Sequence, residues 1–335
     1  MKKSQKEIFK EIKKEIDKSK KILLLTHRAP DGDGIGAILA LYDYFKKRKK
    51  KVFVFSNNPP YYLSFLKNYT QIKKSIPPKE KFDLILALDY ADDRRIDLPP
   101  NLNIKKEKII SIDHHLDAKI IGDLSFVDSK ASSVCEIIYD FLKFLKAKIT
   151  IEMANALLTG IFTDTVGFER VFSRKTKKII VELLSKGAEI EKIVNSYYNI
   201  TLFQAKLLEK ILSRIKEEED LKLIYSWLSF SDFSEIKKEF KNKKESSELF
   251  LQEPPIFPDF LARIGSADVY LFLIKLKKDK IKASLRSRTK KINLAKIAEK
   301  KGGGGHKEAA GFFMKGSLKE AIDFVKEEIK KVQKK

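Results

Sequence analysis

All four histidines of this chain lie in short segments rich in acids or glycine. His27 belongs to Thr26-His27-Arg28-Ala29-Pro30-Asp31-Gly32-Asp33, His114 and His115 to Asp113-His114-His115, and His306 follows Gly302-Gly303-Gly304-Gly305. Imidazoles beside closely spaced carboxylates suit a divalent cation of intermediate hardness such as Mn²⁺, which would also cancel the repulsion between Asp31 and Asp33. Other chemistries are open to the first segment. Asp and Gly are turn formers in their own right. Gly32-Asp33-Gly34-Ile35-Gly36-Ala37 satisfies the G-x-G-x-x-A dinucleotide fingerprint, yet its acids would crowd a pyrophosphate, and no acid closes the next apolar run, which ends Phe55-Ser56-Asn57. A calcium loop starting at Asp31 would need oxygen ligands where Ile35 and Tyr42 stand.

The elements that must carry these residues favour the metal. Apolar runs at 22–25, 51–55, 82–88 and 108–112 alternate with helix-period segments at 36–49, 61–68, 132–146 and 152–162, the pattern of a parallel α/β sheet. The first run leads into His27, the third ends in Asp89 and the fourth in Asp113-His114-His115. Strands thus deliver acid or imidazole at their carboxyl ends, where open parallel sheets place ligand sites. Pro30, Gly32 and Gly34 argue for a loop through the first segment, with the helix beginning at Gly36. Asp164 closes an otherwise apolar helix, where its charge opposes the helix dipole unless a cation lies nearby.

After a long helical stretch at 174–216 the texture changes. Strands at 221–228, 269–276, 280–285 and 311–314, with helices at 233–240, 293–300 and from 318 onward, predict a smaller unit with antiparallel elements. The domain division is then 1–195, a helical linker 196–220, and 221–335. Arg286 and Arg288 share a strand face and make a fork suited to phosphate or carboxylate. Gly303, Gly304 and Gly305 with His306 are flanked by a helix and a small-residue strand, without Ser or Pro, which suits a rigid loop whose amides face a phosphate.

Composition sets bounds. The 335 residues, 43% of them hydrophobic, suffice for two ordinary domains. The net charge of +23 points toward nucleic acid, but 59 of the 69 basic residues are lysines spread through every helix-like stretch. A general lysine bias accounts for this as well as a groove for long nucleic acid does. The single cysteine, Cys135, excludes a disulfide within the chain. The lysine-rich amphipathic N-terminus is unlike a signal peptide, and no apolar run reaches membrane-spanning length. A soluble, cytoplasmic protein is expected.

Taken together, His27-x-x-x-Asp31-x-Asp33, Asp89, Asp113-His114-His115 and Asp164 resemble the motifs of the DHH phosphoesterase superfamily over residues 21 to about 170. Ser284-Leu285-Arg286-Ser287-Arg288 and the segment from Gly302 to Gly311 resemble its associated substrate domain. The resemblance implies an N-terminal parallel-sheet domain with helices on both faces and a smaller C-terminal mixed-sheet α/β domain across a cleft. It implies two divalent cations, Mn²⁺ with Mg²⁺ or Co²⁺ as alternatives, held by His27, Asp31, Asp33, Asp89, His114 and Asp164, with Asp89 bridging. His115 would face the scissile phosphate and Asp113 would orient the imidazoles. Arg286, Arg288, Gly303, Gly304, Gly305 and His306 would bind substrate. The chain's length matches the short stand-alone, NrnA-like type, which implies hydrolysis of short oligoribonucleotides and of 3′-phosphoadenosine 5′-phosphate. Cleavage of cyclic dinucleotides or pApA is the alternative activity, and metal-free RNA binding the alternative class. Self-association through 175–216 into a homodimer is compatible with the sequence. One departure stands out: Val166 precedes Gly167, where many members follow Asp-Thr directly with Gly.

Overall fold

The computed structural model describes residues 3–333 apart from 78–79, 101, 103, 105–106, 117, 171, 241–255, 278 and 290. The chain divides into two compact units, Met1–Tyr198 and Asn199–Lys335. The first contains α1 (Gln5–Lys18), β1 (Lys21–Leu25), α2 (Gly32–Lys47), β2 (Lys51–Phe55), β3 (Ile72–Lys73), β4 (Leu84–Leu88), β5 (Ile109–Asp113), β6 (Leu124–Val127), α3 (Val134–Phe144), α4 (Ile151–Asp164), α5 (Arg174–Ser185) and α6 (Ile190–Tyr198). Its strands form one sheet in the order β3-β2-β1-β4-β5-β6, parallel throughout. β1 lies between β2 and β4, so the strand order reverses there and opens a crevice at the carboxyl ends of β1 and β4.

The strands read as unbroken apolar runs because both faces are covered. Ile22 and Leu24 of β1 pack with Leu84, Leu86 and Leu88 of β4 beneath the helices. The alternate residues Leu23 and Leu25, with Ile85 and Ala87, enter a second cluster with Phe82, Tyr90 and Ile96. Helices were expected on both faces. Among the described residues, α1 to α6 contribute to the first cluster, and chain connections close the second.

Two local expectations change. α2 begins at Gly32, four residues before the expected start. Asp31 is its N-cap, its side chain accepting from the amides of Asp33 and Gly34, which outweighs the low helix propensity of glycine. The glycines are needed for close approach: a Cβ on Gly36 would lie 2.3 Å from the carbonyl oxygen of Ala156, and one on Gly32 2.4 Å from Thr163 Oγ1, both in α4. The stretch at 174–216 is also not one long helix. It breaks at Gly187, which has φ +91°, and again before Thr201, which caps the next helix. The 61–68 segment forms only a short 3₁₀ turn at Tyr61–Leu63.

The second unit contains α7 (Leu202–Ser213), β7 (Lys216–Glu218), β8 (Leu223–Leu228), α8 (Phe230–Glu239), α9 (Ile256–Leu261), β9 (Val269–Lys277), β10 (Lys280–Ser287), α10 (Leu294–Glu299), β11 (Gly304–Gly305), β12 (Ala309–Lys315) and α11 (Leu318–Gln333). The sheet order is β11-β12-β10-β9-β8-β7, antiparallel except for the parallel pair β8 and β9. Alternation along β9 sends Val269, Leu271 and Leu273 toward α10 and α11, and Tyr270, Phe272 and Ile274 toward α7, α8 and α9. α7, within the stretch expected to be a linker, packs Phe203, Leu207 and Ile211 into this core. Among the described residues, no helix is long and apolar enough to cross a membrane.

Candidate metal centre

The carboxyl ends of β1, β4 and β5, the first turn of α2 and the last residue of α4 converge on one largely buried group of acids and imidazoles, with Asp31, its side chain 46% exposed, at the rim. His27 Nδ1 lies 3.0 Å from the carbonyl oxygen of Arg28, and His114 Nδ1 lies 3.3 Å from that of Ala131. A carbonyl can only accept, so each Nδ1 carries the proton and each Nε2 presents its lone pair. His27 Nε2 faces Asp31 Oδ1 at 3.9 Å and Asp89 Oδ2 at 3.8 Å. His114 Nε2 faces Asp33 Oδ2 at 4.0 Å, Asp89 Oδ1 at 3.8 Å and Asp164 Oδ2 at 3.4 Å. Most of these separations exceed hydrogen-bond length and suit ligands that share an ion.

Among the groups of donors close enough to share an ion are His27-Asp31-Asp89 and Asp33-Asp89-His114, and Asp89 belongs to both. Its Oδ1 is buried without a hydrogen-bond donor, a costly arrangement for a carboxylate unless a cation lies against it. Asp89 also adopts φ +55°, in the left-handed region, where the residue just past β4 turns away from the strand. The donor set therefore suits divalent metal. The charge balance agrees. Burial, then the charge of Asp164, pushes the Asp33 carboxyl up to about 7. Burial, then Asp33, holds Asp89 well above the carboxylate range. Burial also raises Asp164, with His114 and Arg170 offsetting part of it. Against burial, Asp164 and Asp33 raise His114. Asp31 is lowered, since hydrogen bonding and charge from His27 and the amides of α2 outweigh burial.

Asp113 differs in kind. Its Oδ1 accepts from the amides of His114 (2.8 Å) and His115 (2.9 Å) and from His115 Nδ1 (2.7 Å). Its Oδ2 accepts from the amides of Tyr90 (2.9 Å) and Ala91 (2.7 Å). Those bonds hold its carboxyl low despite burial and occupy both oxygens. Asp113 thus ties the end of β5 to the turn after β4 and orients His115, whose Nδ1 also lies 3.7 Å from Asp89 Oδ1.

Several contributors carry no sequence signature. Asp33 accepts from the amides of Val134 (2.6 Å) and Cys135 (2.8 Å), so the N-terminus of α3 holds it in place. Gly160 leaves room for this: a Cβ there would lie 2.8 Å from Asp33 Oδ1. Arg170 Nη1 donates to the Asp164 carbonyl oxygen at 3.2 Å. The loop that returns Arg170 to this point runs through Val166, Gly167 and Phe168, all at positive φ, and Val166 at +53° is strained for a β-branched residue.

In the second unit Arg286 lies on β10 and Arg288 just past its end. The Arg286 guanidinium is engaged: Nε donates to Asp259 Oδ1 of α9 at 2.5 Å. The glycine run is not a loop. Gly304 and Gly305 form edge strand β11, paired with Gly311 and Ala310 of β12, and His306 starts the tight turn between them, its amide donating to the Ala309 carbonyl oxygen at 2.7 Å. Only glycine fits at Gly303, where a Cβ would lie 2.2 Å from the Gly311 carbonyl oxygen.

Residues 21–161 match the DHH family N-terminal domain, and residues 252–331 match the DHHA1 domain. The chain contains a DHH domain followed by a DHHA1 domain. It is 28% identical to the "Bifunctional oligoribonuclease and PAP phosphatase NrnA" of Thermus thermophilus, across 92% of this chain and 89% of that protein. The corresponding Bacillus subtilis protein is 27% identical across 87% and 88%. The "Cyclic-di-AMP phosphodiesterase GdpP" of Bacillus subtilis is 25% identical over 95% of this chain, which spans 49% of that protein. Among solved structures, an exopolyphosphatase-related protein from Bacteroides fragilis superposes with a TM-score of 0.81 at 25% identity, covering 97% and 96% of the two chains. RecJ of Thermus thermophilus, solved in complex with Mn²⁺, shares the fold at a TM-score of 0.51 and 13% identity.

Proposed function

We propose that this chain is a manganese-dependent phosphoesterase that hydrolyses short oligoribonucleotides to mononucleotides and removes the 3′-phosphate of 3′-phosphoadenosine 5′-phosphate. The observation that carries the phosphoesterase reading is Asp89, which faces His27 through Oδ2 and His114 through a buried, donor-free Oδ1 and so belongs to both ligand groups. The substrates come from DHH-family relatives of matching length, named for oligoribonuclease and PAP phosphatase activity. Such substrates are intracellular metabolites, which supports a cytoplasmic location.

His27, Asp31, Asp33, Asp89, His114 and Asp164 hold two divalent cations. When bound, these supply Lewis acidity that draws a nucleophile from water near neutral pH and neutralises charge on the phosphoryl oxygens. The chain's own residues do the rest. Asp113 fixes the imidazole of His115 through Nδ1, so that Nε2 is the atom presented to the phosphate or the leaving oxygen. Arg286, Arg288, the Gly303 to Gly305 segment and His306 recognise a second phosphate or nucleotide of the substrate. For Arg286 this means exchanging or sharing its contact with Asp259.

Metal-free RNA binding accounts poorly for the centre. Without cations, Asp33, Asp89 and Asp164 are raised carboxyls pressed together, an arrangement that a surface for long RNA does not require. The test is a panel of 3′-phosphoadenosine 5′-phosphate, pApA, cyclic di-AMP, di- to pentanucleotides and long RNA, assayed with Mn²⁺ and with chelator. Release of phosphate from the first and of mononucleotides from the short RNAs, abolished by chelator, is the expected result. Absence of both activities with Mn²⁺ sinks the proposal, and turnover confined to pApA or cyclic di-AMP transfers it to the alternative activity.

A further inference from the structure

The C-terminal unit carries a pocket apart from every residue placed in the site above. Tyr225 and Trp227 stand two apart on β8 and so share a face of the sheet. Their rings are 6.4 Å apart between centroids and within 26° of parallel. On α11, Lys319, Ile322, Asp323 and Lys326 recur every three or four residues and form one stripe facing them. With Leu318 they line an open surface pocket of about 380 Å³. Its apolar members are only partly buried against the neighbouring core.

Each lining group suits one part of a ribonucleotide. Aromatic faces stack on a base whatever its identity. Lys319 attracts phosphate, Lys326 being already paired with Glu218, and the exposed Asp323 carboxylate can accept from ribose hydroxyls, as acids do in nucleotide sites elsewhere. The Tyr225 ring is held in advance. Its hydroxyl donates to Glu218 Oε1 at 3.4 Å, and Lys326 Nζ, 2.6 Å from the same oxygen, sits 5.2 Å from the ring centroid. The pocket is distinct from the arginine clamp. Trp227 is level in the sheet with Leu273, Ala283 and Phe312, whereas Arg286 is level with Tyr270 and Ile224. That is roughly 10 Å along the strands, besides two strands across.

We propose that this pocket is a second, non-catalytic ribonucleotide site that takes the base, ribose and phosphate of a free mononucleotide or of one residue in a short RNA chain. It requires neither the metal centre nor turnover. Trp227 is the single tryptophan of the chain, so its fluorescence reports on the pocket directly. The full chain is titrated in chelator with AMP, deoxy-AMP, ribose 5-phosphate and a short oligoadenylate. AMP is expected to quench saturably, deoxy-AMP more weakly, and ribose 5-phosphate not at all. Tighter saturation by the oligoadenylate than by AMP identifies the RNA chain as the ligand, and the reverse identifies the mononucleotide. Tyr225→Leu should weaken AMP binding about tenfold and Lys319→Glu about threefold. Lys319 is on the surface, so the second variant remains informative should the first not fold. Quenching that rises linearly with AMP, survives both substitutions or is matched by ribose 5-phosphate overturns the proposal. So does an AMP response lost in Asp89→Asn, which would trace it to the metal centre.

Discussion

Removing the cations should make stability fall as pH rises, opposite to the ordinary behaviour of a protein rich in paired carboxylates. Asp33 has a folded-state pKa of about 7 against 3.8, and Asp89 and Asp164 shift the same way. A raised carboxyl binds its proton more tightly in the folded chain, so its contribution is fully present below pH 3.8 and is lost as pH climbs through the folded value. His114, also raised, adds loss in the same direction. The lowered pair, Asp31 and Asp113, contribute stability above pH 3.8 that is lost on acidification, so they are silent between pH 5 and 8. Asp33 is buried, with 1% of its surface exposed, and needs no discount for screening. Moving the Asp33 carboxyl from 3.8 to about 7 corresponds to on the order of 4 kcal/mol, since each tenfold change in proton affinity is about 1.4 kcal/mol. For a unit of this size that is a fall in Tm of about 10 °C, most of it between pH 5 and 8. Thermal melts in chelator at stepped pH measure it, with a parallel series in Mn²⁺. The Mn²⁺ series should diverge upward with pH, because the ligands bind metal only when deprotonated. A chelated protein whose metal-responsive transition is flat or rises from pH 5 to 8 refutes the reading of the acids as a strained, cation-dependent cluster.

Further outcomes follow from single side chains. Asp89→Asn removes a buried charge that accepts no hydrogen bond, so the metal-free protein should be no less stable, while the Mn²⁺-dependent rise in Tm disappears and phosphoesterase activity falls at least ~10³-fold. Asp113→Asn puts an amide NH₂ against N–H donors on one side or the other, at a cost of about 3 kcal/mol or more in a denaturant titration. Gly36→Ala drives a methyl against the Ala156 backbone and should cost about 1–3 kcal/mol, read by the same titration; a neutral result would contradict the close packing of α2 on α4. Val166→Gly relieves a left-handed β-branched residue and should stabilise by about 0.5–1 kcal/mol.

The gathering of these acids and imidazoles was legible because parallel strands make side-chain position a matter of sequence: an apolar run followed by Asp or His places that side chain at the carboxyl edge. His27, Asp89 and His114 each follow this rule, and the reversal of strand order beside β1 brings them together. What holds them there was not legible. Asp113 is fixed largely by backbone amides, including those of Tyr90 and Ala91, and any residue type supplies an amide. The start of α2 was misplaced because glycine propensity is a local property. The need for glycine at Gly32 and Gly36 comes from Thr163 and Ala156, more than a hundred residues onward in the sequence.

The same distinction bears on the arginine fork. Two arginines at the end of a strand read as open cations, but the acid that meets Arg286 comes from Asp259, on a different element. The pair is mostly buried, with side-chain exposures of 19% and 15%, so it is not a loosely solvated surface contact. A phosphate reaching Arg286 therefore competes with, or adds to, a carboxylate already in place, and its own charge would be repelled by Asp259. Arg288, beyond the strand end, has its amide tied to the Asp268 carbonyl oxygen, and no hydrogen bond or ion pair of its guanidinium with an acid occurs among the described residues. In the proposed phosphate contact the two arginines thus have unequal parts: Arg288 would be the readier partner, and Asp259 would set how strongly Arg286 can join it.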